Sequence, residues 1–358
     1  MTTLHADADT DTFAATLDGD AALAATRPTM AAQPFTPAPA PRAARRHVLD
    51  LDTFGAEEIG EVLDTATAMK AVLARPIKKV PTLRGKTVVT LFYEASTRTR
   101  VAFELAAKAL GADTVSVSAA TSSVAKGESL IDTIRTLQAL GADFVVMRHP
   151  QAGAPYVVAD EVVASVINAG DGWHAHPTQA LLDLFTIRER LGRIAGVRVA
   201  IVGDVLHSRV ARSNLWGLTR MGAQVVLCGP PPLLPPSSFG AGLPWPVTVE
   251  YELDRALDGA DVVMALRLQT ERQASGLLPS VREYVRTYGL TEERLARARP
   301  GALVLHPGPM NEGVEIDPKV ARGAQSAIET QVKNGVAVRM ALLYLLSGLP
   351  AEQAAGRS

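Results

Sequence analysis

The sequence has one cysteine, few aromatics (5%) and almost no net charge, −1 over 358 residues. Each shortage excludes something. Cys228 alone rules out an intrachain disulfide and any metal site built on several cysteines. The balanced charge leaves no global field to recruit nucleic acid or an anionic membrane, so any charged ligand must be held by local clusters. No apolar run approaches the ~20 residues that span a bilayer. Together these features read as a cytoplasmic protein with no metal or cofactor called for. What is present is a hydrophobic content of 47%, ample for buried cores, and a length that suggests two domains.

Residues 1–45 differ from the rest. They are rich in Ala, Thr, Asp and Pro, and end in a proline-crowded run, Pro34-Phe35-Thr36-Pro37-Ala38-Pro39-Ala40-Pro41. Such a segment buries too little to offset its ordering entropy and reads as a disordered extension. It lacks the charged-then-apolar pattern of a targeting signal.

After Arg45, strand-like and helical stretches alternate. Helices are expected over roughly 55–74, from Val101 to Leu110, over 129–140 and from near Thr178. Strands are expected over 87–93, 143–148 and 165–168. A second strand series runs over Val197–Gly203, Val225–Gly229, Val247–Tyr251, Asp261–Leu266 and Ala302–His306. This alternation predicts an α/β protein with two doubly wound parallel-sheet domains and a cleft between them. A last amphipathic helix, roughly Gln331–Leu346, has no strand after it and is expected to return to the first domain.

Ligands of open parallel sheets bind beyond the carboxyl ends of the strands. The predicted strand exits carry Ser96-Thr97-Arg98-Thr99-Arg100, Arg148-His149-Pro150, Asn168 to Gly172 leading to His174 and His176, Gly203-Asp204 leading to Arg209, Arg267-Leu268-Gln269, and His306-Pro307-Gly308-Pro309. Hydroxyls, an arginine and the free N–H groups of a helix start favour an anion at the first of these. A plain helix cap with solvated arginines fits that stretch taken alone. The concentration of cations, imidazoles and glycines at one edge argues for a site. A dinucleotide fold is excluded, because no G-x-G-x-x-G follows the Val197–Gly203 strand.

In order along residues 46–348, these motifs resemble the aspartate carbamoyltransferase family. The matching pieces are Phe92 to Arg100, Lys126-Gly127-Glu128, Val146 to Pro150, His176-Pro177-Thr178-Gln179 with Leu181-Leu182-Asp183, Gly203-Asp204 through Arg209, Arg267-Leu268-Gln269 and Leu305 to Pro309. The resemblance implies transfer of a carbamoyl group from carbamoyl phosphate to aspartate. It implies a carbamoyl phosphate domain over 46–177 plus the helix at about 331–348, and an aspartate domain over 178–330. Carbamoyl phosphate is then held by Ser96, Thr97, Arg98, Thr99, Arg148, His176, Gln179, Gly308 and Pro309. The catalytic residues are Arg98, Thr99, Lys126, Arg148 and His176, with His176 as a neutral donor. Aspartate falls to Arg209, Arg267, Gln269 and Lys126. Ser122 and Lys126 enter from a neighbouring subunit of a homotrimer, to which regulatory or dihydroorotase chains can be added. Glu94 orients Arg209 and Arg272 as the domains close.

The family's usual pair of adjacent lysines is reduced to one by Ala125. The nearest alternative is a carbamoyltransferase for ornithine, which shares the S-x-R-T-R loop but carries His-Cys-Leu-Pro where this chain has His306-Pro307-Gly308-Pro309. A phosphate-metabolite-binding protein without activity is a more distant one. His174, Arg100 and Cys228 are assigned to structure.

Overall fold

The computed structural model describes residues 45–118, 127–235, 246–268, 277 and 280–348. Ser122, Lys126, Gln269 and Arg272 lie outside these residues, as does the extension up to residue 44.

The first sheet comprises β1 (Thr87–Phe92), β2 (Asp113–Ser118), β3 (Phe144–His149) and β4 (Ser165–Asp171), ordered β2-β1-β3-β4 with every pairing parallel. Helices α1 (Ala56–Leu73), α2 (Thr97–Ala109), α3 (Leu130–Ala139) and α4 (Ala154–Glu161) accompany it. The inner strands β1 and β3 are near-continuous apolar runs because both faces are covered. The outer edge of β4 is closed by the segment before α1, where Val48 N–H donates to Val166 O (2.8 Å) and Val48 O accepts from Asn168 N–H (2.8 Å).

After α5 (Pro177–Leu191) the second sheet begins. It holds β5 (Arg198–Val202), β6 (Gln224–Cys228), β7 (Val247–Glu250), β8 (Val262–Ala265) and β9 (Leu303–Leu305), ordered β7-β6-β5-β8-β9 and again parallel. Between and after these strands come α6 (Arg209–Arg220), α7 (Leu253–Leu257), α8 (Val281–Tyr288), α9 (Glu292–Leu295), α10 (Pro318–Arg322) and finally α11 (Ile328–Ser347). No helix among the described residues is long and apolar enough to cross a membrane. Cys228 closes β6 fully buried in the second core.

The strand order matters more than the strand count. In the first sheet the chain leaves β1 for β2, then returns past β1 to β3. In the second it leaves β5 for β6 and β7, then crosses back to β8. Each reversal leaves a crevice at the carboxyl ends of two neighbouring strands, the place where open α/β sheets bind ligands. The register aligns those ends: Phe92 pairs with Arg148, Val202 with Ala265, and Met264 with Leu305.

Several elements depart from the sequence expectation. Strand β2 was not foreseen; its Asp-Thr-Val-Ser-Val-Ser run is a largely exposed edge with little to bury. Neither was α4. Strand β4 continues through Asp171, three residues past the expected end, since Ala169 and Gly170 are small enough to stay inside. Helix α2 starts at Thr97, so the Ser-Thr-Arg-Thr stretch is the first helical turn and not a loop before it. Helix α11 packs on α1, α2 and α5.

Candidate active site

The two crevices face one cleft of about 530 Å³, lined from β1–α2, β3, α5, α6, the β8 and β9 exits, and α11. Among the described residues, five arginines (Arg98, Arg148, Arg209, Arg267 and Arg339) line it against one carboxylate, Glu94. This is a site for something strongly anionic.

On the first-sheet side, Ser96 sits at the N-cap of α2 but does not cap the backbone; its hydroxyl donates to Thr99 Oγ1 (3.0 Å). The first-turn N–H groups of α2 therefore keep their donor capacity toward the cleft. Arg148 leaves the end of β3 and is fixed twice, by Ala169 O (3.1 Å) and by Glu94 Oε1 (2.8 Å). Gly170 makes this possible. At φ +115° it forms a flat wall, and a Cβ there would lie 3.0 Å from Arg209 Cζ and 3.1 Å from Arg148 Nη1.

On the second-sheet side, Arg209 is the first residue of α6, whose N-cap Ser208 accepts from Ala211 N–H (3.1 Å). The guanidinium reaches back across the cleft to Glu94, with Nη2 to Oε1 at 2.8 Å and Nη1 to Oε2 at 3.1 Å, and to Gly172 O at 3.2 Å. Glu94 thus holds one arginine from each sheet. Of its two expected partners, Arg209 is paired, Arg272 lies outside the described residues, and Arg148 is an addition.

His176 is the N-cap of α5, with its backbone N–H donating to Ser213 Oγ (2.9 Å), which in turn donates to Asp50 Oδ1 (3.0 Å). Its ring is buried and its Nδ1 has no hydrogen-bond partner among the described residues. Burial first, then the charges of Arg148, Arg209 and Arg339, hold the imidazole well below its ordinary range. It is neutral at physiological pH. By contrast His174 is tied to Asp171 (Nδ1 to Oδ2, 3.1 Å), which also fixes the backbone at Ala175 and Gly153. His174 belongs to the turn.

The 306–309 turn closes the far wall. Gly308 N–H donates to His306 Nδ1 (2.8 Å), which leaves Nε2 to donate to Glu315 Oε1 (3.1 Å). Gly308 has φ +61°, and a Cβ there would overlap the Arg98 guanidinium. Only glycine lets the two approach.

The structure therefore brings together Glu94, Ser96, Thr97, Arg98, Thr99, Arg148, His176, Gln179, Arg209, Arg267, Gly308 and Pro309. Among the lining residues that were missed are two long polar side chains of α11, Gln331 and Arg339. Arg339 donates to Gly335 O (2.8 Å) and lies 5.1 Å from the centre of the Phe103 ring. Burial pushes its pKa down to about 10, so it stays charged. The signal was in the sequence: a single arginine inside Val-Ala-Val-Arg-Met-Ala-Leu-Leu has no cheap structural reason. Among the described residues no three His, Cys, Asp or Glu side chains are grouped to hold a metal ion.

Two family models account for nearly all of this region. Residues 46–189 match the aspartate/ornithine carbamoyltransferase, carbamoyl-P binding domain, and residues 195–346 match the Asp/Orn binding domain. The aspartate carbamoyltransferase catalytic subunit of Roseiflexus sp. (strain RS-1) is 67% identical over 305 residues, covering 85% of this chain and 96% of that one. The chain belongs to the aspartate carbamoyltransferase family. Solved structures agree. Aspartate transcarbamoylase from Trypanosoma cruzi in complex with carbamoyl phosphate and aspartate has a TM-score of 0.76 at 30% identity, over 84% of this chain and 94% of that one. Ornithine carbamoyltransferase from Pyrococcus furiosus has a TM-score of 0.77 at 29% identity, over 85% and 98%. The fold is thus common to aspartate and ornithine carbamoyltransferases, and the residues of the cleft must separate them.

Proposed function

We infer that this enzyme transfers the carbamoyl group of carbamoyl phosphate to the amino group of L-aspartate, giving N-carbamoyl-L-aspartate and phosphate, an early step of pyrimidine synthesis. The observation that carries the reading is the cleft's composition, five arginines against one carboxylate. Carbamoyl phosphate and aspartate together bring a phosphate and two carboxylates. Ornithine would bring an ammonium into the same field, at a Coulombic cost that grows as water is excluded.

In this reading the α2 N-terminus, Ser96, Thr97, Arg98 and Thr99 grip the phosphate, with Arg148 beside it; a guanidinium fork matches phosphate oxygens as an ammonium does not. Gln179 and the backbone of Gly308 and Pro309 receive the carbamoyl amide. Arg209, Arg267 and Gln269 hold the aspartate carboxylates. The amine lone pair attacks the carbonyl carbon, and negative charge builds on the carbonyl oxygen. Thr99, Arg148 and neutral His176 donate hydrogen bonds to it, each worth about 2.7–4 kcal/mol in comparable sites. The carbonyl then re-forms and the bond between its carbon and the bridging oxygen breaks, that oxygen staying on phosphorus. Phosphate leaves with the electron pair and takes the amine proton. The depressed pKa of His176 supports a donor role, since the ring keeps its N–H and carries no charge of its own.

The same reading assigns 46–177 with 331–348 to carbamoyl phosphate and 178–330 to aspartate. It includes a homotrimer in the cytoplasm, in which Ser122 and Lys126 reach a neighbour's cleft. Solution mass of the purified chain tests the trimer, and a monomer with full turnover would refute the shared site. Arg98→Ala and His176→Ala test the chemistry. Turnover should fall by orders of magnitude with the far-UV spectrum unchanged, and activity surviving both changes would overturn the mechanism.

A further inference from the structure

Behind the cleft lies a buried carboxylate that the mechanism above does not use. Asp183, two turns into α5, is fully buried. It accepts three side-chain hydrogen bonds, each from an amide NH2. Its Oδ1 accepts from Gln179 Nε2 (2.9 Å) and Gln331 Nε2 (2.7 Å), and its Oδ2 from Asn214 Nδ2 (2.8 Å). These amides come from α5, α11 and α6, so one carboxylate ties three helices behind the cleft. The charged group facing it is Arg339 of α11.

A side-chain amide can present either end. A carboxylate cannot, because it only accepts. With Asp183 ionised, Gln179 must turn its NH2 inward, and its carbonyl oxygen is the polar end left for the cleft it lines. Gln331 is constrained in the same way. Its NH2 meets Asp183, and its Oε1 accepts the backbone N–H of His306 (3.0 Å). That bond anchors the turn whose Gly308 touches Arg98. Were either amide reversed, its carbonyl oxygen would face the Asp183 carboxylate, acceptor against acceptor, and for Gln331 an N–H would also face that of His306.

We propose that Asp183 is a positioning residue that fixes the orientation of both glutamine amides, so that the site presents acceptors to the NH2 of the carbamoyl group. Resting on the carbamoyl-transfer reading, this adds a reason why the site prefers an amide donor at that position. Asp183 itself does not line the cleft.

The test compares steady-state constants for wild type, Asp183→Leu, Asp183→Asn and Gln179→Ala, together with the Asp183→Leu/Gln179→Ala double variant. Asp183→Leu should lower kcat/KM for carbamoyl phosphate by at least about 30-fold and leave KM for aspartate within about 3-fold. Asp183→Asn should recover to within about 5-fold of wild type. Its one carbonyl oxygen can serve both glutamines, while Asn214, whose Oδ1 accepts no hydrogen bond among the described residues, turns over to meet the new NH2 at the loss of its bond to Val210 O. In the Gln179→Ala background the leucine substitution should cost clearly less than in wild type, because one of the two amides it orients is gone and only the route through Gln331 remains.

An equal loss in both backgrounds, or equal effects on the two KM values, would show a merely structural residue and overturn the proposal. Should the leucine variant not fold, Asp183→Ser, with a hydroxyl too short to reach either glutamine, is read against the same values. Wild type forming no N-carbamoyl-L-aspartate would instead refute the carbamoyl-transfer reading, before any variant is compared.

Discussion

The two sides of the cleft are built differently. On the first-sheet side the polar groups belong to rigid elements: the first turn of α2, the end of β3, and a buried imidazole at the start of α5. Arg148 is held within the first sheet's own surroundings, by Ala169 O and Glu94, while the His176 backbone N–H reaches α6 at Ser213 Oγ. The second-sheet side presents Arg209 and Arg267, and Arg209 is oriented by Glu94, a residue of the other side. One half is preorganised by its own fold. The other is aligned across the cleft by a borrowed carboxylate, so its geometry depends on how the two halves meet.

Breaking each side should therefore give different kinetics. The largest effect is expected for Arg148→Leu, which removes a partner of Glu94 and, on the proposed mechanism, a fixed donor to the reacting oxygen. Loss of one such donor costs about 10²–10³ in kcat, and KM for carbamoyl phosphate should rise with it in initial-rate assays. Arg267→Leu should raise KM for aspartate by about 10²-fold, the scale of a charge-assisted bond of 1.5–3 kcal/mol, with KM for carbamoyl phosphate nearly unchanged. Glu94→Gln sharpens the comparison. It weakens the cross-cleft clasp without emptying either pocket, so about a 10-fold rise in KM for aspartate should exceed the change for carbamoyl phosphate. Gly308→Ala is expected to act on the first side only, displacing Arg98 and raising KM for carbamoyl phosphate several-fold.

The smallest effect concerns pH. His176 has its folded pKa depressed below the ordinary value of 6.5, mainly by burial. Below 6.5 the unfolded chain binds a proton that the folded chain refuses, so this residue lowers stability as pH falls from about 7 to 5. Asp50 and Asp183, each raised to about 6 by burial, act in the opposite sense between 6 and 4. Denaturant titrations of wild type and His176→Asn across this range should show a shallower acid loss in the variant; parallel curves would mean that His176 titrates normally.

The fold and most of the candidate site were legible because the candidate residues come at or soon after the ends of apolar runs, Arg148 directly after Phe144 to Met147, and Arg98, His176 and Arg209 a few residues beyond β1, β4 and β5. Such runs are buried on both faces and mark their own ends. Strand β2 was illegible for the converse reason: an exposed edge of Thr and Ser buries little and leaves no pattern. Gln331 and Arg339 were missed because they enter the cleft from α11, and nothing local in sequence relates that helix to His176 or Asp183. Their face is set by packing on α2 and α5. Arg148 as a partner of Glu94 likewise depends on Gly170 bringing two guanidiniums together, which only the folded chain shows.

The central claim is that an arginine-lined cleft selects a second carboxylate over an ammonium. The direct measurement is the rate of carbamoyl transfer by the purified full chain, with L-aspartate and L-ornithine compared at equal concentration and saturating carbamoyl phosphate. The account predicts N-carbamoyl-L-aspartate as the product, with ornithine turnover at least about 10³-fold lower, as expected when a buried like charge costs several kcal/mol. Ornithine turnover equal to or above that of aspartate would contradict it.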